Sequence, residues 1–321
     1  MPERDILFAF TLCNQGSALS MSIDTAMPLP FAQSSAQSTP TVALALGAGG
    51  ARGFAHIQVL QALEELGIEP VAIAGSSIGA IIGAGKAAGM SAAEMRSYAL
   101  ETVGNRRAVM NRFWALRPPS MRHAIGGFRL GQFNLERILR TFLPAHIPDD
   151  FASLNIPLKV IATDYYGHCE KLCESGDLYQ ALAASAAIPA LFMPVLLDGR
   201  VMIDGGIFNP VPYEHVMDLA DIVIGVDIVG GPIGAVGEMD VMPNRIDSLF
   251  GASQLMMQSH LALKLRLSAP AIFLRPQVNE FGVMDFLKAK QIFDASEPLK
   301  DEVKRALEVQ FARFERERAS S

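Results

Sequence analysis

Apolar and polar residues fall along this chain in blocks whose period changes from segment to segment. Val42-Ala43-Leu44-Ala45-Leu46 is an unbroken apolar run between Pro40 and a glycine-rich stretch, the pattern of a strand buried on both faces. Helical spacing takes over next, with Ile57, Leu60, Leu63 and Leu66 on one stripe of a helix over 54–66 and Gly67 placed to cap its end. Val71 to Ala74 predicts a second short buried strand. From Ile78 to Gly89 the chain is small and apolar all round, with Lys86 its one charge, as in a helix packed on a sheet. Ser91 and Glu94 form a capping-box pair and open a helix to about Val103.

The alternation continues to the end of the chain. A helix is predicted over 133–143, a buried strand over 158–163 with an antiparallel partner at 169–173, and a charge-poor helix over 177–187 stopped by Pro189. Segments 192–197 and 200–203 flank Asp198-Gly199, a dipeptide suited to a type I′ hairpin turn, and the hairpin delivers Asp204 at a strand end. A helix over 213–220, a strand over 222–229 interrupted by Asp227, a long helix over 246–267, a strand over 271–274 and two closing helices complete the pattern. Strand and helix in turn predict an α/β fold around a mostly parallel sheet with helices on both faces.

Composition narrows the setting. The 321 residues are 50% hydrophobic, enough for a large core. A net charge of −6 without a concentrated basic face argues against nucleic acid as a partner. Three cysteines fit neither a disulfide framework nor a zinc site, which favours a reducing cytoplasm. Residues 14–40 are rich in Ser, Gln, Ala and Pro, and the short apolar run over 6–13 follows no positive leader, so a disordered tail is expected over 1–40, ahead of one domain over 41–321. Between 104 and 131, six arginines interleave with Met110, Phe113, Trp114 and Phe128. That texture suits a lid or a patch touching the inner membrane face transiently, but a surface excursion covering the core is the commoner use of such a run.

Two glycine-bearing turns carry the chemistry. Gly47 to Gly53 can turn consecutive N–H groups into one concavity suited to negative charge, and Gly75-Ser76-Ser77-Ile78-Gly79 is the G-x-S-x-G of a nucleophile on a strand-to-helix turn. Both follow strands and open helices, so both belong at the carboxyl ends of parallel strands, where open α/β sheets bind ligands. Acyl transfer needs such a pair: a hydroxyl to attack and fixed donors for the oxyanion. Of six histidines none stands in a catalytic frame, and His56, one turn into its helix, reads as packing. Asp204, followed by Gly205 and Gly206, is the better-placed base.

In order and spacing, Gly49-Gly50-Ala51-Arg52-Gly53, the elbow around Ser77 and Asp204-Gly205-Gly206 resemble the patatin-like phospholipases, as does Ala184-Ser185-Ala186-Ala187-Ile188-Pro189. The resemblance implies a three-layer fold and a Ser-Asp dyad of Ser77 and Asp204. It also implies an oxyanion hole from the N–H groups of Gly49, Gly50, Ala51 and Arg52, with Gly75, Gly79, Gly205 and Gly206 as supporting glycines. No metal and no cofactor would be required, and the substrate would be a lipid or other carboxylic ester. Ala48 departs from the family pattern, which has glycine there.

Other readings remain open at this level. A dinucleotide-binding fold starts the same way but wants an acidic residue where Gly75-Ser76 stands. An ordinary α/β-hydrolase would place its serine later and add a histidine. A regulatory or lipid-binding module with a vestigial dyad would keep the same motifs.

Overall fold

The structure is a computed structural model that describes residues 39–115, 135–232 and 242–320. Most of the tail expected over 1–40 lies outside the described residues, as do residues 116–131 of the insertion expected over 104–131.

Eight strands form one sheet: β1 (Val42–Leu46), β2 (Ala72–Ser76), β3 (Leu158–Asp164), β4 (Cys169–Cys173), β5 (Val195–Leu197), β6 (Arg200–Asp204), β7 (Ile222–Val226) and β8 (Ile272–Leu274). The strands β3, β2, β1, β7 and β8 run parallel in that order, while β4 and β6 join β3 antiparallel. Alternate residues of β1 and β2 serve different cores. Leu44, Leu46 and Ile73 belong to the larger one, packed against α1 (Phe54–Glu65) and α2 (Ile78–Ala87). Ala43, Ala45, Ala72 and Ala74 belong to a smaller one with Tyr213, Val216 and Leu261. Large side chains on one face and alanines on the other let helices cover both, the three-layer arrangement.

Among the described residues, seven further helices of eight residues or more pack around this frame: α3 (Ala92–Thr102), α4 (Arg106–Ala115), α5 (Leu135–Phe142), α6 (Leu178–Ser185), α7 (Arg245–Leu267), α8 (Ala289–Ser296) and α9 (Leu299–Ala319). The capping box is present at α3, where Ser91 accepts from Glu94 N–H and Glu94 accepts from Ser91 N–H. At the tip of the β5–β6 hairpin Asp198 and Gly199 both have positive φ, 51° and 73°, as a type I′ turn demands.

Two expectations change. The helix expected over 213–220 is a single tight turn at Tyr213–His215, whose side chains are all tied to other elements: Tyr213 to Ser268, Glu214 to Lys264, His215 to Glu170. The strand expected to reach 229 stops at Val226, because the Asp227 carboxylate turns back to accept from Val229 N–H. Within the insertion, Arg112 bonds the Tyr98 hydroxyl and the Thr141 carbonyl, so this arginine braces the domain rather than facing outward.

The edge of β3 is what positions the site. Ile161 pairs with Leu172 of β4 on one side and Ser76 of β2 on the other, and Ala162 pairs with Lys171 of β4 and Asp204 of β6. A strand has two edges and β4 occupies one, so β2 and β6 share the other and meet end to end. The last residue of β2 and the last residue of β6 are therefore neighbours.

Candidate active site

Ser77 lies between β2 and α2 with φ 55° and ψ −122°, a backbone conformation that a residue with a side chain adopts only under constraint. The glycines on each side permit the turn. A Cβ on Gly75 would stand 2.5 Å from the Ala80 nitrogen, and one on Gly79 would stand 2.0 Å from the Leu46 carbonyl oxygen. The turn aims the hydroxyl at the end of β6. Ser77 Oγ donates to Asp204 Oδ2 at 2.5 Å, with 3% of Ser77 and 5% of Asp204 exposed.

Every remaining polar atom of this pair is held. Asp204 Oδ1 accepts from Gly206 N–H at 2.8 Å, and Thr163 Oγ1 donates to the Asp204 carbonyl. Ser77 N–H donates to Ser185 Oγ at 2.8 Å, and that hydroxyl in turn donates to the Ile161 carbonyl. Ser76 Oγ is tied to the Asn209 carbonyl at 2.6 Å. Burial pushes the Asp204 carboxyl up to about 6, against the hydrogen bonds from Ser77 and Gly206, which favour the ionised form.

A cavity of about 100 Å³ opens on the pair. Ser77, Asp204, Ala48, Gly49, Gly50 and Arg52 form its polar floor, and Ile188, Ile207, Leu249, Phe250, Met257 and Val283 its apolar walls. The N–H groups of Gly49 and Gly50 make no hydrogen bond among the described residues, as expected at the start of the short 3₁₀ turn Gly50–Gly53. Gly50 has φ 61°, and a Cβ there would strike the Val283 carbonyl. Ala51 differs from its expected place: its N–H is already taken by the Val283 carbonyl at 2.8 Å, and Ala51 does not line the cavity.

Ala48 is accommodated by a neighbour. Its φ is not positive, its N–H donates to the Pro210 carbonyl, and its methyl occupies the space beside Gly206, where a Cβ would approach it to 2.4 Å. A Cβ on Gly205 would stand 2.0 Å from the Ile161 carbonyl oxygen. His56 is fully buried, holds the Gly47 carbonyl through Nε2 at 2.9 Å, and is driven down to about 4 by desolvation. Among the described residues no histidine bonds to Ser77 or Asp204. Glu170, Glu214 and His215 cluster on the other face, where Lys264 Nζ sits on both Glu214 oxygens and on Asn209 Oδ1, so the group reads as a brace for Asn209.

Sequence reasoning does not single out Ser185 and Asn209, or the α7 residues that wall the cavity. Ser185 left one signal, a lone hydroxyl between alanines. The walls left none, since α7 reaches the site only through the fold.

The family model "Patatin-like phospholipase" matches residues 44–217. An uncharacterised NTE family protein of Mycobacterium bovis is 38% identical over 220 residues, 68% of this chain and 57% of its own length. Patatin-like phospholipase domain-containing protein 6 of Mus musculus is 30% identical over 282 residues, 79% of this chain and 20% of its own length. The chain thus spans little more than half of the first relative and a fifth of the second. Among solved structures, VipD from Legionella pneumophila covers 86% of this chain and 68% of its own, at 16% identity and a TM-score of 0.47. The match to the family model runs from within β1 through the elbow at Ser77 and past the turn after Asp204, and this chain belongs to the patatin-like phospholipase family.

Proposed function

We propose that this protein is a serine acyl-hydrolase of the esterase or lysophospholipase type, cleaving the carboxylic ester bonds of lipids. The observation that carries this reading is the 2.5 Å bond between the Ser77 hydroxyl and the buried Asp204 carboxylate at the floor of an apolar cavity. Ser77 attacks the ester carbonyl while Asp204 takes its proton. A carboxylate near its ordinary pKa of about 4 is a poor base for a hydroxyl; burial supports the role by raising its basicity toward the working pH. The negative charge that builds on the carbonyl oxygen is met by the N–H groups of Gly49 and Gly50.

Asp204 then returns the proton to the leaving alcohol, which departs. Water enters, gives a proton to Asp204 and attacks the acyl-enzyme carbonyl; the bond to Ser77 Oγ breaks, Asp204 returns the proton to that oxygen, and the acyl group leaves as the free carboxylic acid. Ile188, Ile207, Phe250 and Met257 offer an apolar surface for an acyl chain. Among the described residues no helix is long and apolar enough to cross a membrane. Catalysis is assigned to the domain over 41–321.

The test uses a fluorophosphonate probe and a panel of short-chain esters and lysophospholipids with wild type, Ser77→Ala and Asp204→Asn. Labelling and turnover that vanish in Ser77→Ala support the nucleophile. Labelling that persists there overturns it. Folded wild type that binds lipid saturably without labelling or turnover would make the protein a binding module.

A further inference from the structure

A second cavity, of about 340 Å³, lies behind the glycine loop, lined by Arg52, Asp227, Gly230, Gln258, Arg275 and Asn279 among others. Arg52 is the wall it shares with the cavity over Ser77. This arginine is only 2% exposed, yet it is poorly paired. Its Nε donates to the Gly49 carbonyl at 3.2 Å, and its Nη2 has no partner among the described residues. Its Nη1 lies against Gly230, so close that a Cβ there would stand 1.9 Å away. An unpartnered guanidinium nitrogen withdrawn from water costs stability unless an anion or acceptor meets it.

The cavity's other charges do not close this account. Asp227 is the one carboxylate in the lining, 4% exposed, and it is already engaged by Arg275 Nε at 2.9 Å, Gln258 Nε2 at 3.2 Å and Val229 N–H at 3.0 Å. Two guanidiniums therefore face one carboxylate that a neighbour has taken, and the lining is net cationic. Gln277 and Asn279 add amide groups to the lining, and Asn279 Oδ1 accepts from Gly231 N–H. Planar guanidinium forks with amides beside them match the oxygens of a tetrahedral anion.

We infer that this second cavity is a binding site for a phosphate-class anion, held between Arg52 and Arg275, and that its occupancy is transmitted through Arg52 to Gly49 in the glycine loop. The binding half stands on the cavity alone; the coupling half rests on the catalytic reading above. The anion is either a free phosphate species or the phosphate of a lipid whose acyl chain lies in the neighbouring cavity.

Calorimetry with inorganic phosphate and with lysophosphatidic acid below its micellar concentration tests both, using the full chain with Ser77 unmodified and after fluorophosphonate labelling. Inorganic phosphate should bind saturably in both forms. Arg275→Gln should weaken it about tenfold or more, since a hydrogen bond to a charged group is worth roughly 1.5–3 kcal/mol, and Arg275→Lys should recover part. Melting curves show that each variant is folded. Lysophosphatidic acid that binds more tightly than phosphate, and loses that advantage when Ser77 is blocked, assigns the site to a lipid headgroup. Equal affinity for both assigns it to a free anion. Phosphate should also change the rate of Ser77 labelling in wild type. No saturable phosphate binding at millimolar concentration, or binding that Arg275→Gln leaves intact, overturns the site. Absent labelling with intact phosphate binding would instead overturn the catalytic reading and leave the site standing.

Discussion

Ser76 and Asp204 stand at successive places on one edge of β3, opposite Ile161 and Ala162, so the backbone ladder itself brings Ser77 to Asp204, 127 positions further along the chain. Side-chain packing has only to finish what the register begins. The consequences can be measured.

Ser77→Ala and Ser77→Gly both remove the hydroxyl, and both should abolish probe labelling and lower turnover by about 100-fold or more. They should differ in stability. With φ at 55°, alanine keeps a strained backbone that glycine relieves, so the glycine variant should be more stable by roughly 1–2 kcal/mol in chemical denaturation. Equal midpoints would show that the turn stores no strain.

The acid limb of kcat/KM should fall near pH 6, where Asp204 takes up a proton and stops acting as a base. Stability should show a different dependence. Asp204 is raised, so the folded state binds more protons than the unfolded one between about pH 4 and 6, and this group makes stability fall as pH rises through that window. His56 is lowered to about 4, so the unfolded state binds more protons below about 6.5 and this group makes stability rise with pH. The two slopes oppose each other in wild type. Removing one should expose the other: Asp204→Asn should gain stability as pH rises from 4 to 6, relative to wild type, and His56→Gln should lose it. Parallel profiles for all three proteins would remove both assignments.

Gly206→Ala should cost about 1–3 kcal/mol, because its methyl would meet that of Ala48 at 2.4 Å. Ala48→Gly should recover part of the loss, although Met257 and the Asp204 carboxylate also crowd that position. A double-mutant cycle with coupling near zero would count against the pairing.

Ser185→Ala leaves the buried Ser77 N–H without its acceptor, at a cost of about 1–3 kcal/mol in stability. Ser77, the proposed nucleophile, loses the bond that fixes its backbone, so kcat should drop while KM changes little. A rise in KM alone would place Ser185 in substrate binding instead.

Much of this was legible in the chain because it is local. The apolar run of β1, the glycines around Ser77 and the Asp198-Gly199 turn each act within a few residues, where sterics alone decide the outcome. What escaped depends on long-range contact. The N–H of Ala51 belongs to the glycine loop by sequence, yet Val283 claims it from 232 positions further on. Residues 213–220 carry helical spacing, but Lys264, Glu170 and Ser268 hold the segment as one turn. Leu249, Phe250 and Met257 look like any half-apolar helix until α7 is laid beside the serine.

The shared edge of β3 also makes the serine a clock for folding. β2 and β6 come from distant parts of the chain, and closing so long a loop is slow compared with forming α1 or α2 beside it. A molecule with every local element formed, but with one side of β3 still unpaired beyond Ile161, would hold Ser77 without its proton acceptor. Reactivity toward a fluorophosphonate during refolding should therefore lag behind helical signal, and the delay would time the arrival of β6.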